Sequence, residues 1–179
     1  MLHILDHAFF NRSASKVAQE LLGKFLVRKW RGQEMRHMIT EVEAYVGPHD
    51  LACHASRGLT PRTRVMFGPA GHWYVYFTYG MHWMLNIVTG ELGYPAAVLI
   101  RGVENVSGPA RLTKSLRIDK RFNGKPANRT TRLWVEESGV ILEKKHIQRS
   151  KRIGVSYAGP IWSNKLYRFI LVGNRKKQT

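Results

Sequence analysis

The stretch HWYVYFTY at residues 72–79, then Gly80-Met81, then HWMLNIVT at residues 82–89, decides the class of fold. Both runs are dense in aromatic and β-branched residues, which favour strands. The Gly80-Met81 pair between them predicts the turn of a β-hairpin with Tyr79 at its tip. Because a tip is exposed, the Tyr79 ring is available to a partner molecule.

The aromatic residues of the first run have two possible uses. Trp73, Val75 and Phe77 are expected to pack in the core of the sheet, as alternate residues of a half-buried strand do. Aromatic planes can instead stack on extruded bases or wedge between base pairs. The exposed position predicted for Tyr79 favours this second use for its ring.

Further segments on both sides of the hairpin have the patterns of strands and helices. Strands are predicted over residues 24–30, 35–46, 96–103 and 166–172, the first two joined by a turn at Arg31-Gly32-Gln33. Helices are predicted over residues 13–22, 50–56 and 109–118, a loop over 57–70 and an exposed loop over 120–132. Residues 173–179 are expected to form a loose basic tail. The sequence therefore predicts one α+β domain over residues 1–179, with a curved, mostly antiparallel sheet, flanking helices and a protruding β-hairpin.

The charge of the chain is its clearest compositional feature. Lysine and arginine number 29 against 12 acidic residues, which gives a net charge of +17, and residues 101–179 hold 19 of the basic residues and only 5 of the acidic ones. Such an excess is typically balanced by a polyanion, and neutralising the phosphates of nucleic acid releases bound counterions. A basic surface without a partner is the alternative. The charge therefore indicates a class of partner but does not identify an activity.

Several other classes of protein are disfavoured by the sequence. No apolar run approaches the ~20 residues of a membrane-spanning helix, and the first residues lack the pattern of a secretion signal, so we expect an intracellular protein of the cytoplasm and nucleoid, or of the nucleus in a eukaryote. Cys53 is the only cysteine, and the eight histidines include no His-Glu-x-x-His or Cys/His cluster with ligand spacing. We therefore expect no metal and no cofactor.

The segment TEVEAYVGP at residues 40–48 is unusual for a strand because it contains two glutamates. Alternate residues of a strand share a face, so Glu41, Glu43 and Tyr45 are expected to point the same way. Glutamate is depleted in strands and seldom buried without a partner. The pattern is typical either of a general base beside an aromatic platform or of an edge strand with solvated acids.

The segment VLIRGVE at residues 98–104 ends an apolar strand on Arg101. Its guanidinium could pair with a carboxylate or with a phosphate. An ordinary arginine at the end of a strand is the alternative.

Together these segments resemble the alkyladenine (3-methyladenine) DNA glycosylases. The resemblance extends in order over nearly the whole chain and rests on EVEAYVGP (41–48), TPRTR (60–64), YVY (74–76), YGM (79–81), NI (86–87), LIR (99–101), SGP (107–109), RIGV (152–155) and YAG (157–159). In this family a damaged nucleotide is flipped out of the duplex and its base is released.

The resemblance implies a catalytic pair. Glu43 matches the family's general base, which activates the water that attacks C1′ of the flipped nucleotide. Arg101 matches the residue that helps to hold this water and to orient the carboxylate. A nearby guanidinium would lower the pKa of Glu43 against the upward effect of burial.

The resemblance also implies a base-binding pocket. Tyr45 and Tyr76 match the rings that sandwich the damaged base, and His54 contributes to the same pocket. Asn86 matches the residue that disfavours guanine through its exocyclic amino group. Tyr79 matches the side chain that enters the minor groove and fills the gap left by flipping.

The activity implied is hydrolysis of the N-glycosidic bond of 3-methyladenine, 7-methylguanine, hypoxanthine or ethenoadenine in double-stranded DNA. No lysine matches a family nucleophile, so we expect an abasic product and no strand cleavage. We also expect a monomer, because a protein that scans one duplex can work alone. Phosphate contacts are expected from Arg62, Arg64, Arg111 and Lys114. A non-catalytic basic module that binds nucleic acid is the alternative, although an acid at Glu43 would weaken such binding.

Overall fold

An antiparallel sheet is the main element of the fold in the computed structural model, which describes residues 2–173. The strands are β1 (Phe25–Trp30), β2 (Gln33–Tyr45), β3 (Trp73–Thr78), β4 (His82–Thr89), β5 (Ala96–Val103), β6 (Val106–Ser107), β7 (Leu133–Glu136), β8 (Ile147–Ser150) and β9 (Arg168–Leu171). Six of them lie in the order β3-β4-β5-β2-β1-β7, while β6 pairs with β5, β9 with β2, and β8 with β9. The predicted α+β class and antiparallel sheet are confirmed.

Four short α-helices accompany the sheet among residues 2–173. They are α1 (His7–Phe10), α2 (Ala14–Leu21), α3 (Pro109–Ser115) and α4 (Gly159–Ser163). In α2 the buried residues recur every three to four positions, at Ala14, Val17, Ala18 and Leu21, so that one side of the helix packs on β2 and β5. The predicted helix over residues 13–22 is confirmed. None of the helices among residues 2–173 has the length and apolar character needed to cross a membrane.

Both predicted hairpins are present. In the first, Trp30 faces Gln33, and Arg31 and Gly32 both have positive φ, at 49° and 84°, as a two-residue type I′ turn requires. In the second, Thr78 faces His82, and the positive φ values fall on Tyr79 and Gly80.

The turn of the second hairpin therefore centres on Tyr79-Gly80 and not on Gly80-Met81 as the sequence pattern predicted. Its tip is exposed as expected, and Tyr79 has 79% of its surface open to solvent. The prediction that Phe77 packs in the core is wrong. Phe77 is 44% exposed and contacts the ring of Trp83, a partly buried residue beside the core, at 4.6 Å.

The sheet curves until its two edges approach each other. The Trp73 amide on β3 donates to the Lys125 carbonyl at 2.8 Å, and its indole Nε1 donates to the Leu133 carbonyl of β7 at 3.1 Å. Trp73 is completely buried at this closure. The apolar core lies within the curve, where α2 covers it.

Three local predictions are wrong. Residues 50–56 do not form a helix but turns that lead into a 3₁₀ helix over His54–Arg57, because the Asp50 side chain is engaged inside the protein. Helix α3 ends at Ser115, short of the expected residue 118, and Arg117 has a left-handed φ of 53°. The segment 120–132 is not wholly exposed, since Phe122 is buried. Of the predicted tail 173–179, residues 174–179 lie outside the described residues.

Candidate active site

A cavity of about 730 Å³ lies along β3, β4 and β5 beside the β3–β4 hairpin. It is lined by most of the residues that the sequence singled out, namely Tyr45, His54, Arg62, Tyr76, Tyr79, Asn86 and Arg101. They come from β2, β3, the hairpin turn, β4, β5 and the segment between β2 and β3. The strand order brings these distant segments together.

Glu43 lies directly beneath the wall of this cavity, with no exposed surface. The Tyr45 hydroxyl donates to its Oε2 at 2.9 Å, and the Ile153 amide donates to its Oε1 at 2.8 Å. Arg101 Nη1 lies 3.5 Å from the same Oε1. These donors belong to groups that line the cavity, and they fix the orientation of the carboxylate.

Burial dominates the protonation equilibrium of this carboxylate. Desolvation raises the pKa of Glu43 above its ordinary value, while the Arg101 charge, the Ile153 amide and the Tyr45 hydroxyl act in the opposite direction. The sequence predicted both effects. The structure shows that burial is the larger.

Arg101 connects the two glutamates of β2. Its Nε donates to Glu41 Oε1 at 3.0 Å, and Arg168 Nη1 donates to the same oxygen at 3.1 Å. Because Arg101 reaches both Glu41 and Glu43, the predicted shared face of these residues is confirmed. The guanidinium pairs with carboxylates, which decides between the alternatives left open by the sequence.

The aromatic wall opposite β2 is built on β3 and the 3₁₀ helix. The His54 ring contacts the Tyr76 ring edge-on at 4.7 Å, and His54 Nδ1 lies 3.0 Å from the Tyr74 hydroxyl. Burial, with repulsion from Arg62 and Arg57, lowers the pKa of His54 to about 4. The imidazole is therefore neutral at neutral pH.

Tyr45 rests on a buried ion pair that the sequence analysis did not identify. Arg152 donates to the Asp50 carboxylate through two nitrogens, at 2.5 and 2.8 Å, and to the Ala44 carbonyl at 2.9 Å. Its guanidinium carbon lies 4.8 Å from the centre of the Tyr45 ring. One face of Tyr45 is thus covered by Arg152, and the opposite face is left for the cavity. The RIGV motif at residues 152–155 was the sequence signal from which Arg152 could have been identified.

Asn86 lies in the floor of the cavity on β4 and is buried. Its Nδ2 donates to the Tyr74 carbonyl at 3.1 Å, which fixes the orientation of the side-chain amide. Among the described residues its Oδ1 has no hydrogen-bond partner and is available to a ligand.

The basic residues expected to touch phosphates occupy different positions. Arg62 is exposed at the cavity, where its guanidinium lies 4.8 Å from the centre of the Tyr76 ring. Arg64, Arg111 and Lys114 are exposed but do not line the cavity. Arg111 and Lys114 belong to α3, whose first residue, Pro109, is part of the cavity wall.

Residues 2–173 contain no group of three or more histidine, cysteine, aspartate or glutamate side chains arranged to hold a metal ion. The one cysteine, Cys53, is buried.

Known proteins match this chain over most of its length. The family model "Methylpurine-DNA glycosylase (MPG)" matches residues 8–108 and 104–175. A protein of Legionella pneumophila (strain Corby) is 44% identical over 177 residues, with 95% of each chain covered. One of Myxococcus xanthus is 45% identical over 173 residues, covering 92% of this chain and 88% of its own, and one of Methanocella arvoryzae is 42% identical over 176 residues, covering 87% and 86%. All three are provisionally named 3-methyladenine DNA glycosylases. The chain therefore belongs to the methylpurine-DNA glycosylase family, a family of DNA glycosylases of base excision repair.

Proposed function

We propose that the protein flips a damaged purine nucleotide out of duplex DNA into the 730 Å³ cavity and hydrolyses its N-glycosidic bond with a water activated by Glu43. The observation that carries this proposal is the buried carboxylate of Glu43, held by Tyr45, Ile153 and Arg101 against an aromatic cavity. In a chain of net charge +17, a buried acid in this position weakens binding to phosphates. Catalysis gives a reason for its presence.

Glu43 and Arg101 then act on the sugar and the water. The ionised carboxylate accepts a proton from the water that attacks C1′ and stabilises the positive charge that develops on the sugar. Arg101 keeps the carboxylate oriented. Because Glu43 is fully covered, the water reaches it only when a covering group moves, and the bond from the Tyr45 hydroxyl to Oε2 is the one we expect to open.

The aromatic rings provide selectivity for alkylated bases. A purine alkylated at N3 or N7 is a cation, and a ring face attracts a desolvated cation by up to ~2 kcal/mol more than a neutral base. Tyr45 and Tyr76 supply such faces in the cavity wall. The neutral His54 adds no repulsion beside them.

The substrates proposed are 3-methyladenine, 7-methylguanine, hypoxanthine and ethenoadenine in duplex DNA. Flipping costs a few kcal/mol and least where pairing is already weak, which favours damaged positions. The Asn86 side chain, fixed in the floor of the cavity, would exclude the exocyclic amino group of guanine by steric contact. No lysine is among the residues of the described chain that line the cavity, so water is the proposed nucleophile and an abasic site the product. One protein molecule on one duplex is sufficient for this reaction, so a monomer is the proposed active form. The reaction takes place in the compartment that holds the chromosome.

The direct test is single-turnover base release from duplex oligonucleotides with one ethenoadenine or hypoxanthine, with methylated DNA as a third substrate. Alkali converts abasic sites into strand breaks, and borohydride traps any covalent Schiff base. We expect alkali-dependent breaks and no trapped adduct. Binding to DNA without base release from any substrate would favour the non-catalytic module instead.

The pH profile of excision should report the ionisation of the Glu43 carboxyl group. Only the ionised carboxylate acts as a base, and burial raises its pKa above the ordinary 4.5. For 7-methylguanine, a leaving group that needs no added proton, the single-turnover rate should fall as the pH falls through this raised value. A rate independent of pH down to 4.5 would contradict a base role for Glu43.

Replacement of Tyr79 by alanine should weaken engagement of damaged DNA without unfolding the protein. Stacking of an aromatic ring contributes ~1–3 kcal/mol, so we expect an excision rate at subsaturating protein lower by about 5- to 150-fold. Leu92→Ala is the matched control, since Leu92 is similarly exposed and does not line the cavity. Equal losses in both variants, or none in Tyr79→Ala, would contradict insertion of Tyr79.

The affinity for DNA should depend steeply on salt. Each phosphate contact contributes ~0.9 to the slope of log K against log salt. Neutralising Lys114 to glutamine should reduce the slope by about this amount, whereas neutralising Lys16, exposed on α2, should leave it unchanged. Binding isotherms at four salt concentrations measure both slopes, and an unaltered slope for Lys114→Gln would remove this residue from the interface.

A further inference from the structure

The Tyr74 hydroxyl and the His54 ring share one hydrogen bond in the wall of the cavity. The hydroxyl oxygen lies 3.0 Å from Nδ1 of His54, and Tyr74 is only 2% exposed. Both groups are uncharged at neutral pH, because burial lowers the pKa of His54 to about 4 and raises the pKa of Tyr74 to about 12. The pair therefore holds two protons, one on the hydroxyl and one on the ring.

These two protons can be arranged in two ways. In the first, the Tyr74 hydroxyl donates to Nδ1 and the ring proton is on Nε2 of His54. In the second, Nδ1 donates to the hydroxyl oxygen, and the hydroxyl proton must find another acceptor. The other group beside the hydroxyl is Arg62, which opposes the rise of its pKa, and a guanidinium only donates. Because a buried hydroxyl proton without an acceptor is costly, the first arrangement is favoured.

Nε2 of His54 then carries the ring proton and is open to the cavity. Within residues 2–173 it has no hydrogen-bond partner, yet it is not enclosed, in contrast to the buried and unpartnered Nε2 of His37. His54 lines the cavity, so a molecule that enters can reach this N–H group. The charges of Arg62 and Arg57 act on the same ring, and their positive potential favours an electron-rich acceptor at this point.

We propose that His54 donates a hydrogen bond from Nε2 to an acceptor of the flipped nucleotide, and that Tyr74 is the positioning residue that keeps His54 in this form. The acceptor is a lone pair of the damaged base or a phosphate oxygen of the same nucleotide. The inference rests on the proposed flipping into the cavity and deepens it. It gives the Tyr74 hydroxyl a role in recognition although the hydroxyl is bonded to the protein.

The first measurement is the position of the ring proton in the free protein, labelled with nitrogen-15 at histidine. A long-range proton–nitrogen correlation spectrum distinguishes a protonated ring nitrogen from a bare one, and the variant His54→Ala identifies the signals of His54 among those of the eight histidines. We expect the proton on Nε2 in the wild type. In Tyr74→Phe, which keeps the ring and removes the hydroxyl, we expect a mixture of both forms. A proton on Nδ1 in the wild type would overturn the proposal.

The second measurement is the affinity for a duplex with one ethenoadenine, made in the Glu43→Gln background so that the base is not released. Tyr74→Phe should weaken binding by about 2- to 12-fold, the range for one hydrogen bond. Tyr94→Phe is the matched control, since its hydroxyl donates to the Val46 carbonyl at 2.8 Å and Tyr94 does not line the cavity. Added to His54→Ala, Tyr74→Phe should have no further effect. Additive losses, or an equal loss in Tyr94→Phe, would mean that Tyr74 does not act through His54.

Two altered duplexes identify the acceptor. In one, the damaged base is replaced by 4-methylindole, an aromatic base without an acceptor, and in the other the phosphates on both sides of the lesion are neutral methylphosphonates. An effect of Tyr74→Phe that is lost on the first duplex assigns the acceptor to the base, and one that is reduced on the second assigns it to a phosphate. An effect of full size on both duplexes, as expected if Nε2 faces the Tyr76 ring, would refute donation to the nucleotide. Because tautomer and affinity are measured without catalysis, failure of the wild type to release ethenoadenine would refute the proposed hydrolysis alone.

Discussion

Replacement of Glu43 by glutamine is expected to slow base release by about 10²- to 10⁴-fold, the usual contribution of a general base. Glutamine keeps the shape of the side chain, and its amide can accept from Ile153 and donate to Tyr45, so the wall of the cavity is preserved. Affinity for damaged duplex should be retained or increased, because a negative charge is removed from a DNA-binding face. Single-turnover kinetics and binding isotherms on one ethenoadenine duplex measure both quantities.

The matched control is Glu41→Gln, two residues away on the same face of β2. Glu41 contacts Arg101 and Arg168 and, on our proposal, acts only by positioning Arg101, which Glu43 also holds. We expect Glu41→Gln to slow base release by less than about tenfold. Should Glu41→Gln lose as much as Glu43→Gln, the assignment of the base to Glu43 would not stand.

Glu43→Gln should keep or gain stability although it loses activity. A carboxyl group with a raised pKa costs stability when ionised, so the wild type should lose stability as the pH rises from the unfolded value near 4.5 through the folded value. Glu43→Gln lacks this loss. Its unfolding midpoint in urea should therefore equal or exceed that of the wild type at neutral pH, which also shows that lost activity is not lost folding.

The fold was predictable from the sequence where local signals were strong. The aromatic runs around the β3–β4 hairpin, the Arg31-Gly32 turn and the apolar spacing in α2 each follow from nearest neighbours along the chain. The sequence pattern placed the turn at Tyr79-Gly80 one residue too late, at Gly80-Met81. A left-handed conformation is uncommon at a tyrosine, so the pattern indicated a turn that begins at the glycine.

The site was predictable in part, because its residues are recognisable only by their partners. Glu43 and Tyr45 stand out on one strand. Asp50 follows a Gly-Pro pair and reads as a helix cap, whereas the structure buries it against Arg152, 102 residues away. No periodicity in the sequence identifies a contact of that separation. The Ile153 amide that holds Glu43 is a backbone group, which no side-chain pattern can reveal.

Removal of the Asp50 charge is expected to be the most destabilising change at the site. Asp50 and Arg152 have no exposed side-chain surface, and loss of one partner leaves a buried, uncompensated charge, a cost of about 3–5 kcal/mol. Asp50→Asn should therefore lower the unfolding temperature by roughly 6 to 20 °C for a chain of this size. Glu20→Gln, which breaks the exposed pair with Arg12, should cost no more than about 1 kcal/mol.

The double variant Asp50→Asn/Arg152→Met separates the ion pair from the hydrogen bonds around it. If the charge is the cause, removing both partners should restore a large part of the stability lost in Asp50→Asn, since no buried charge remains. Excision should nevertheless stay impaired, because Arg152 also bonds to the Ala44 carbonyl and covers one face of Tyr45. Urea unfolding of the four proteins, with excision assayed on each, completes the cycle. Additive losses of stability would mean that Asp50 acts through its bonds to the Val46 and Ala52 amides and not through Arg152.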